Sequence, residues 1–436
     1  MKIKVIERPY EDIKAEIRRI KEKRAAHKRP HKPDILFRTL MRLVSIPDIK
    51  KTNFKYEKID MDRLGKREPA LYLMNHSSFI DLEIVATMLY PRPFNIVATT
   101  DGFIGKNWLM RSIGCLPTRK FVQDLSLLRD MQYALHTLHS SVVLFPEAGY
   151  SFDGTATPLP ESLGMCVKAL GVPVVMITTH GAFSRDPLYN NLQRRKVDVS
   201  ATEEYLLSCE DIERMSAEEI NAVLHESFSF DNFRWQQENK IKIMESFRAD
   251  KLNRVLYKCP ACKTEGRMVG EGTELICVEC SKKYVLDEYG YIKALDGNTE
   301  FSHIPDWYEW QRLEVRRELE EGRYGLDIPV DICASVDTKH LYHIGEGRLT
   351  HGIDGFSLHG CDGKLDYTQR PLASYTLNSD FNWYEIGDMI SIGNNDALYY
   401  CFPKIKEDIV AKTRLAAEEL YKIVRAARAR RVSTTN

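Results

Sequence analysis

The sequence lacks long apolar runs, an excess of charge of either sign and any internal repeat. Its 436 residues carry 62 basic and 62 acidic side chains, so overall charge favours neither an acidic nor a basic partner. No stretch reaches the roughly 20 consecutive apolar residues that a membrane-spanning helix requires. The best candidate, "ILFRTLMRLVSI" at 35–46, is interrupted by Arg38 and Arg42. No secretory leader opens the chain, and we predict a cytoplasmic protein that contacts membranes only peripherally.

Cysteine is scattered along the chain except in one short segment. Six of the ten cysteines stand alone, and the other four form two Cys-x2-Cys pairs separated by fourteen residues. Two such pairs can surround one zinc ion with four thiolates, which leaves no open coordination position for catalysis. Two disulfides or a redox pair are the alternatives, and a reducing compartment disfavours the disulfides. We predict a zinc ribbon with a β-hairpin turning at Gly270 and Gly272, and structural Zn²⁺ held by Cys259, Cys262, Cys277 and Cys280.

The amino-terminal segment is strongly basic although the chain as a whole is neutral. Residues 1–33 hold twelve Lys or Arg side chains against five acidic ones, a net charge of +7. Within them, apolar residues recur at helical spacing at Ile13, Ile17 and Ile20, which predicts a basic helix over 10–26. Such a helix could lie on an anionic membrane surface, and segment 35–46 could insert shallowly beside it. The alternative is a solvated helix followed by a helix that packs in the core.

Short apolar runs alternate with amphipathic segments over roughly residues 35–250. This alternation predicts an α/β fold with a mostly parallel sheet flanked by helices. Short strands with Gly, Asn and Asp turns, closed by an amphipathic helix, follow towards the end of the chain, an element order that resembles a pleckstrin-homology domain. The predicted division is a basic helical arm at 1–34, the α/β domain at 35–250, the zinc ribbon at 251–295, a linker helix at 296–325, and a mainly β domain with its closing helix at 326–436.

The stretch "NHSSFID" places His76 and Asp81 directly after an apolar run that reads as a buried strand. Histidine can take a proton from a hydroxyl near neutral pH, and a carboxylate on Nδ1 fixes its tautomer. Residues five apart diverge on one helix, so the pair can meet only if His76 precedes a helix that contains Asp81. We expect that helix to begin near Ser78, with Ser77 or Ser78 as its N-cap. The plain alternative is a capped helix with a histidine in the preceding loop.

Four ordered blocks resemble the glycerolipid acyltransferase family, which includes the lysophosphatidic acid acyltransferases. They are "NHSSFID" for the family's His-x4-Asp, "GCLPTRK" (114–120) for its acceptor-binding block, "FPEAGYS" (145–151) for its Phe-Pro-Glu-Gly-Thr-Arg-Ser, and "VPVVMIT" (172–178) for its Val-Pro block. The resemblance covers about residues 65–200. It implies that His76, oriented by Asp81, deprotonates an acceptor hydroxyl, which attacks the thioester of acyl-CoA or acyl-carrier protein. It also implies substrate-binding roles for Asn75, Arg119, Lys120, Glu147 and Gly149.

In the third block the family's Gly-Thr-Arg is replaced by Ala148, Gly149 and Tyr150, and two departures bear on the acceptor. Tyr150 stands where the third block has arginine, and Lys120 stands where the second block closes with arginine, with Arg119 one residue earlier. In the family, arginines at these positions are taken to bind the acceptor phosphate, because a guanidinium group can donate two parallel hydrogen bonds to it. Arg119 can take over that role, or the acceptor can lack a phosphomonoester. Both alternatives stay open on the sequence.

The resulting prediction is an enzyme of phospholipid biosynthesis that acylates a lysophospholipid or glycerol phosphate and associates peripherally with membranes. The alternative is a catalytically inactive lipid-binding scaffold that keeps the fold. A third reading, nucleic-acid binding through the zinc ribbon, lacks a dense basic patch around the knuckles, and no nucleic-acid partner is expected. Acyl-carrier protein is a possible protein partner.

Overall fold

The computed structural model describes residues 3–22, 28–122 and 125–433. The chain begins with strand β1 (Val5–Glu7) and helices α1 (Tyr10–Glu22) and α2 (Ile35–Lys51). The predicted helix over 10–26 is confirmed up to Glu22, and 23–27 lie outside the described residues. β1 pairs in parallel with residues 341–343 of the carboxy-terminal sheet, and Ile13 is completely buried in the core beneath that sheet. Ile13 therefore packs inside the molecule, Ile17 is partly buried against the same core, and Ile20 remains exposed.

Helices and strands then alternate as the apolar runs predict. In chain order they are β2 (Lys55–Ile59), β3 (Leu71–Met74), α3 (Asp81–Met88), β4 (Phe94–Thr99), α4 (Asn107–Ser112), β5 (Cys115–Thr118), α5 (Leu125–Gln132), β6 (Ser141–Leu144), α6 (Leu163–Leu170), β7 (Val174–His180), α7 (Ala182–Arg185), β8 (Ser200–Leu207), α8 (Cys209–Arg214), α9 (Ala217–Ser227) and α10 (Asn232–Glu238).

These strands form a seven-stranded sheet in the order β2-β8-β7-β3-β6-β4-β5. Strands β7, β3, β6, β4 and β5 are parallel, and β8, which is antiparallel to β7, pairs in parallel with β2. The predicted mostly parallel sheet is thus confirmed. Separate apolar cores lie on its two faces. Because β3, β6 and β7 are adjacent and parallel, the segments that follow them meet at one edge of the sheet.

A small antiparallel sheet follows, in the order β12-β11-β10-β9. Its strands are β9 (Met268–Glu271), β10 (Glu274–Cys277), β11 (Lys283–Leu286) and β12 (Ile292–Ala294). The hairpin between the cysteine pairs is present, and Gly272 lies in its turn with φ +63°. Gly270 lies instead in β9, where an added Cβ would come within 2.5 Å of the Ala249 carbonyl oxygen. Close backbone approach therefore explains this glycine, and the predicted turn role is wrong for it.

The remaining chain forms a second large sheet between two helices. Its elements are α11 (Ile304–Glu320), β13 (Leu326–Ser335), β14 (Leu341–Gly352), β15 (Gly355–Gly360), β16 (Leu365–Gln369), β17 (Asn378–Trp383), β18 (Gly387–Gly393), β19 (Leu398–Pro403) and α12 (Val410–Ser433). The strands are antiparallel in the order β16-β15-β14-β13-β19-β18-β17, and the short β1 adds to β14. A single core of buried side chains joins this sheet, α11, α12 and the small cysteine-bearing sheet. We call residues 326–433 the C-terminal domain.

The C-terminal domain packs directly on the α/β part. Ile104, which follows β4, is buried among residues of β13, β18 and β19. The Gly105 amide donates to the Thr338 carbonyl at 3.0 Å. The rings of Phe152 and Phe381 lie 4.5 Å apart. The segment after β6 and the second sequence block, 114–120, therefore face the C-terminal domain.

Candidate active site and cysteine cluster

His76 and Asp81 meet at the edge of the parallel sheet, as their spacing predicts. β3 ends at Met74 and α3 begins at Asp81, so the histidine lies in the connecting turn. His76 Nδ1 is 3.0 Å from Asp81 Oδ2, and the Asp81 side chain is 1% exposed against 22% for His76. A carboxylate bonded to Nδ1 holds the proton there and leaves Nε2 as the basic nitrogen. The pair has the geometry of a general base and its orienting group.

The turn itself is folded around the same carboxylate. Asp81 Oδ2 also accepts the amides of Ser77 at 2.9 Å and Ser78 at 3.1 Å. The predicted N-cap is wrong, because α3 begins three residues after Ser78 and its cap residue, Ile80, makes no side-chain hydrogen bond. The Ser78 hydroxyl donates instead to Asp186, a buried residue after α7. Asp186 accepts Arg185 Nη1 at 2.7 Å, and desolvation raises the Asp186 pKa to about 6.

Glu147 holds the main chain of His76. The residue follows β6 and is almost completely buried. Its Oε2 accepts the His76 amide at 2.7 Å, and its Oε1 accepts the Thr157 amide at 2.7 Å. Burial raises the Glu147 pKa to about 7, and the hydrogen bonds and the charge of Arg414 oppose that shift. Both carboxylate oxygens are thus used by backbone donors, which makes Glu147 a support of the histidine.

Aromatic rings enclose the imidazole. The His76 ring centroid lies 4.5 Å from that of Phe145 and 4.3 Å from that of Tyr150, with interplanar angles of 34° and 33°. Phe79, an exposed residue of the turn, lies 5.6 Å from Tyr150. Burial and the nearby carboxylates, Asp81 among them, raise the pKa of Tyr150 well above its usual value. The tyrosine that replaces the family arginine is therefore a neutral packing partner of the histidine.

The other predicted substrate-binding residues divide between two environments. Asn75 is buried, and its side chain exchanges hydrogen bonds with the Thr179 backbone, Oδ1 accepting the amide at 2.8 Å. Arg119 donates to the Asn395 carbonyl of the C-terminal domain. The Lys120 charge acts on Asp380, opposing the desolvation that raises the Asp380 pKa to about 7. Gly149 lies against Arg414, with Nη2 3.9 Å from where a Cβ would stand. Asn75 supports the sheet, and the other three face the C-terminal domain.

The four predicted metal ligands converge in the small sheet. The sulfurs of Cys259, Cys262, Cys277 and Cys280 all lie within 4.8 Å of one another. Two of the separations, Cys259 to Cys280 and Cys262 to Cys277, are 3.8 and 3.7 Å. Zinc–sulfur bonds of about 2.3 Å in a tetrahedron place sulfurs about 3.8 Å apart. The donor set therefore fits one tetrahedral zinc ion, whereas a disulfide would need sulfurs about 2.05 Å apart.

The two cysteine turns are built alike. Lys263 and Ser281 each follow a Cys-x2-Cys pair and each have a left-handed backbone, with φ +66° and +62°. Their amides donate to the Cys259 and Cys277 carbonyls at 2.9 and 2.8 Å. This repetition is expected of two knuckles that present paired thiolates to one ion.

Three supporting residues escaped the sequence analysis. Asp186 lies 108 residues from Ser78 and Thr157 lies ten residues from Glu147, and neither belongs to a motif quoted above. Arg414 lies on α12 and donates from Nη1 to the Tyr150 carbonyl at 3.2 Å. The segment "SRDP" (184–187), which begins four residues after β7 ends and holds two opposite charges, is the one signal that could have indicated Asp186.

Residues 54–179 match the family model described as acyltransferase. A solved structure, the 1-acyl-sn-glycerophosphate (LPA) acyltransferase PlsC from Thermotoga maritima, is 16% identical and aligns over 44% of this chain and 76% of that chain with a TM-score of 0.34. No curated protein matches the chain. The family match spans His76, Asp81 and Glu147. Residues 54–179 are therefore an acyltransferase domain by their match to the family model.

Proposed function

We propose that the enzyme transfers a fatty acyl group from acyl-CoA or acyl-carrier protein to the hydroxyl of a lysophospholipid or glycerol phosphate. The observation that carries this proposal is the 3.0 Å contact between His76 Nδ1 and the buried Asp81 carboxylate. Nε2 takes the proton from the acceptor hydroxyl as its oxygen bonds to the thioester carbonyl carbon. The carbon–sulfur bond then breaks, and the imidazolium returns the proton to the departing thiolate. No covalent acyl-enzyme is needed.

Acyl transfer by purified variants tests this role. His76→Ala removes the base and is expected to lower kcat roughly 10²- to 10⁴-fold in an assay with labelled acyl donors and a panel of lipid acceptors. Asp81→Asn keeps an oxygen for the Ser77 and Ser78 amides but no longer fixes the Nδ1 proton, so a loss of up to about 10⁴-fold is expected. Transfer by His76→Ala at the wild-type rate would refute the proposed base.

The lipid substrates require access to a membrane surface, and α2 supports such contact. Leu36, Leu40, Leu43 and Val44 form an exposed stripe at helical spacing. The stripe continues to the exposed Trp108 through Phe37, whose ring lies 6.2 Å from that of Trp108. A groove of about 380 Å³ between α2 and the end of α3 is lined by Leu43, Ile46, Ile49 and Tyr90, among others. Among the described residues, no helix is long and apolar enough to cross a bilayer.

Basic residues accompany this stripe. Lys50, Lys51 and Lys32 are exposed at or beside α2. Near an anionic membrane, each basic residue contributes on the order of 1 kcal/mol. We propose that this face lies on an anionic bilayer, with the apolar stripe inserted shallowly, so that the enzyme is a peripheral membrane protein.

The cysteine cluster and the C-terminal domain complete the proposal. We propose that Cys259, Cys262, Cys277 and Cys280 bind a structural Zn²⁺, since four thiolates leave no position for a substrate. The divisions at 34, 250, 295 and 325 remain predictions. Likeness to a pleckstrin-homology domain remains one as well, supported by two strand meanders and a closing helix.

A further inference from the structure

The loop that carries Glu147 has a backbone that its own sequence does not favour. We call residues 145–152 the Glu147 loop. Ala148, in its middle, has a left-handed φ of +53°, which is unfavourable for a residue with a Cβ. Such conformations persist where surrounding contacts hold them. The main-chain groups on either side of Ala148 show which contacts do so.

The C-terminal domain supplies those contacts. Arg414 Nη1 on α12 donates to the Tyr150 carbonyl at 3.2 Å. Its guanidinium carbon lies 4.4 Å from the Phe152 ring centroid. The Tyr375 hydroxyl makes a long hydrogen bond of 3.4 Å to the Pro146 carbonyl. The loop is therefore held on both sides of the left-handed residue by groups more than 220 residues away in sequence.

Arg414 is itself fixed by a buried carboxylate. Its Nε donates to Glu418 Oε1 at 3.3 Å, and the two side chains are 4% and 1% exposed. Glu418 also accepts the Thr376 hydroxyl at 2.6 Å and Arg312 Nη1 at 2.7 Å. A buried ion pair with its hydrogen bonds satisfied holds its members in one geometry. Arg414 is thus presented to the loop by a rigid polar cluster.

We propose that Arg414 is a positioning residue of the active site, which holds the Glu147 loop so that Glu147 can fix the main chain of His76. The C-terminal domain is then part of the catalytic structure. The inference rests on the proposed role of His76 as the base. It adds Arg414, which lies outside the acyltransferase domain. Arg414 contacts Tyr150 in the Glu147 loop, and Glu147 in the same loop contacts the main chain of His76.

The charge of Arg414 also affects the protonation of Glu147. The titratable groups that face Glu147 are His76 from the turn after β3, Arg414 from α12 and Tyr375 from the segment before β17. The positive charge of Arg414 lowers the pKa of Glu147 against the effect of burial. Without that charge, the carboxylate would take up a proton at higher pH. One of its two acceptor oxygens would then become a donor and repel a backbone N–H.

Three full-length variants separate the contact of Arg414 with Tyr150 from the ion pairs around Glu418. They are Arg414→Met, Arg414→Lys and Arg312→Met. Arg312 pairs with the same Glu418 and also with Glu309 and Glu419, and within the described part of the chain these ion pairs do not involve the Glu147 loop. Each methionine variant leaves Glu418 with one arginine and Thr376. Both are therefore expected to lose similar amounts of thermal stability, and only the Arg414 variants release the loop.

Hydrogen exchange of the amides of residues 145–157, followed by mass spectrometry, reads the loop directly. Loss of a hydrogen bond from a charged donor is expected to speed exchange there roughly tenfold or more in Arg414→Met, with Arg312→Met near wild type. Equal exchange in the two variants would overturn the proposal. If Arg414→Met does not fold, Arg414→Lys, which keeps charge but not the fork to both Tyr150 and Glu418, takes its place in the comparison.

Kinetics then test the consequence for catalysis. Arg414→Met is expected to lower kcat roughly 100-fold with little change in KM, because the base is misplaced and not removed. The acid limb of its pH–rate profile should move to higher pH, and Arg414→Lys should restore that limb. Wild-type kcat in Arg414→Met would overturn the positioning role. If the wild-type enzyme shows no acyl transfer, the proposed function fails, and the exchange experiment still decides whether Arg414 holds the loop.

Discussion

At the scale of single residues, the site depends on three carboxylates with separate tasks. Asp81 orients the imidazole, Glu147 holds its backbone, and Asp186 accepts the Ser78 hydroxyl in the same turn. Only Asp81 touches the histidine ring. His76 is thus placed by hydrogen bonds to the backbone of its turn as much as by the contact of its ring with Asp81.

Glu147 gives a pH-dependent prediction. Its pKa in the folded protein is about 7, raised by burial above its usual value of 4.5. Between these values the folded state binds a proton that the unfolded state has lost, so the free energy of unfolding falls as pH rises. The fall is about 2–4 kcal/mol between pH 4 and pH 8 for this group. Denaturant titrations of wild type and Glu147→Gln across that range measure it, since glutamine does not ionise.

The difference in free energy of unfolding between wild type and Glu147→Gln separates the effect of Glu147 from the effects of Glu83 and Asp380. Burial raises the pKa values of those two residues to about 7 as well. Wild-type stability relative to Glu147→Gln is expected to decline as pH rises. A difference that is constant with pH, or that grows as pH rises, would contradict the raised pKa.

The contact between His76 and Asp81 could be predicted from the sequence because the two residues are five positions apart beside a strand end. Their geometry is local, and elementary helix spacing limits it. Asp186, Thr157 and Arg414 could not be predicted in this way. Asp186 and Arg414 reach the site through strand order and domain packing, and Thr157 reaches Glu147 through the course of the loop between them. A pattern in the chain encodes none of these contacts. The expected N-cap at Ser78 was wrong for a related reason, because a buried carboxylate from another element takes its hydroxyl.

At the scale of elements, the two helices near the amino terminus differ in how their apolar residues are buried. Both α1 and α2 carry apolar residues at helical spacing. The stripe of α1 is buried beneath the C-terminal sheet through Ile13, whereas that of α2 is exposed. Sequence periodicity indicates that a helix has an apolar face, but not which surface covers that face. The exposed apolar side chains of α2 are thus the ones available for the proposed shallow insertion of segment 35–46.

Vesicle flotation tests the α2 surface. Leu43 is 57% exposed and Val44 68%, and replacing both by serine is expected to weaken binding to vesicles containing phosphatidylglycerol roughly tenfold or more. Ile353→Ser is the matched control, because Ile353 is 60% exposed on the C-terminal domain. Binding should also fall with added salt. Equal binding by the double variant and the control would remove α2 from the membrane surface.

At the scale of the whole molecule, the cysteine-bearing sheet is packed into the core of the C-terminal domain and is not a separate module. The sequence correctly predicts that the four cysteines converge and that a hairpin lies between their pairs. It does not indicate how this small sheet packs against the rest of the molecule. Cys259, Leu275 and Tyr284 are buried in the same core as α11, α12 and the C-terminal sheet. Lys258, next to the first cysteine, pairs with Glu314 and Glu318 of α11 at 3.2 and 3.4 Å. The proposed metal would thus support one side of the domain that holds the Glu147 loop.

Metal removal should therefore destabilise more than the small sheet. Four thiolates around Zn²⁺ contribute folding free energy that a chelator withdraws, and the shared core transmits the loss to α12. We expect one zinc per chain by elemental analysis, and a lower melting temperature together with faster exchange at residues 145–157 after chelation or in Cys277→Ser. Cys209→Ser, which changes a cysteine outside the cluster, is the control and should behave as wild type. Melting confined to residues 257–295, with α12 and the Glu147 loop still protected, would show that the cysteine-bearing sheet folds independently of the domain it contacts.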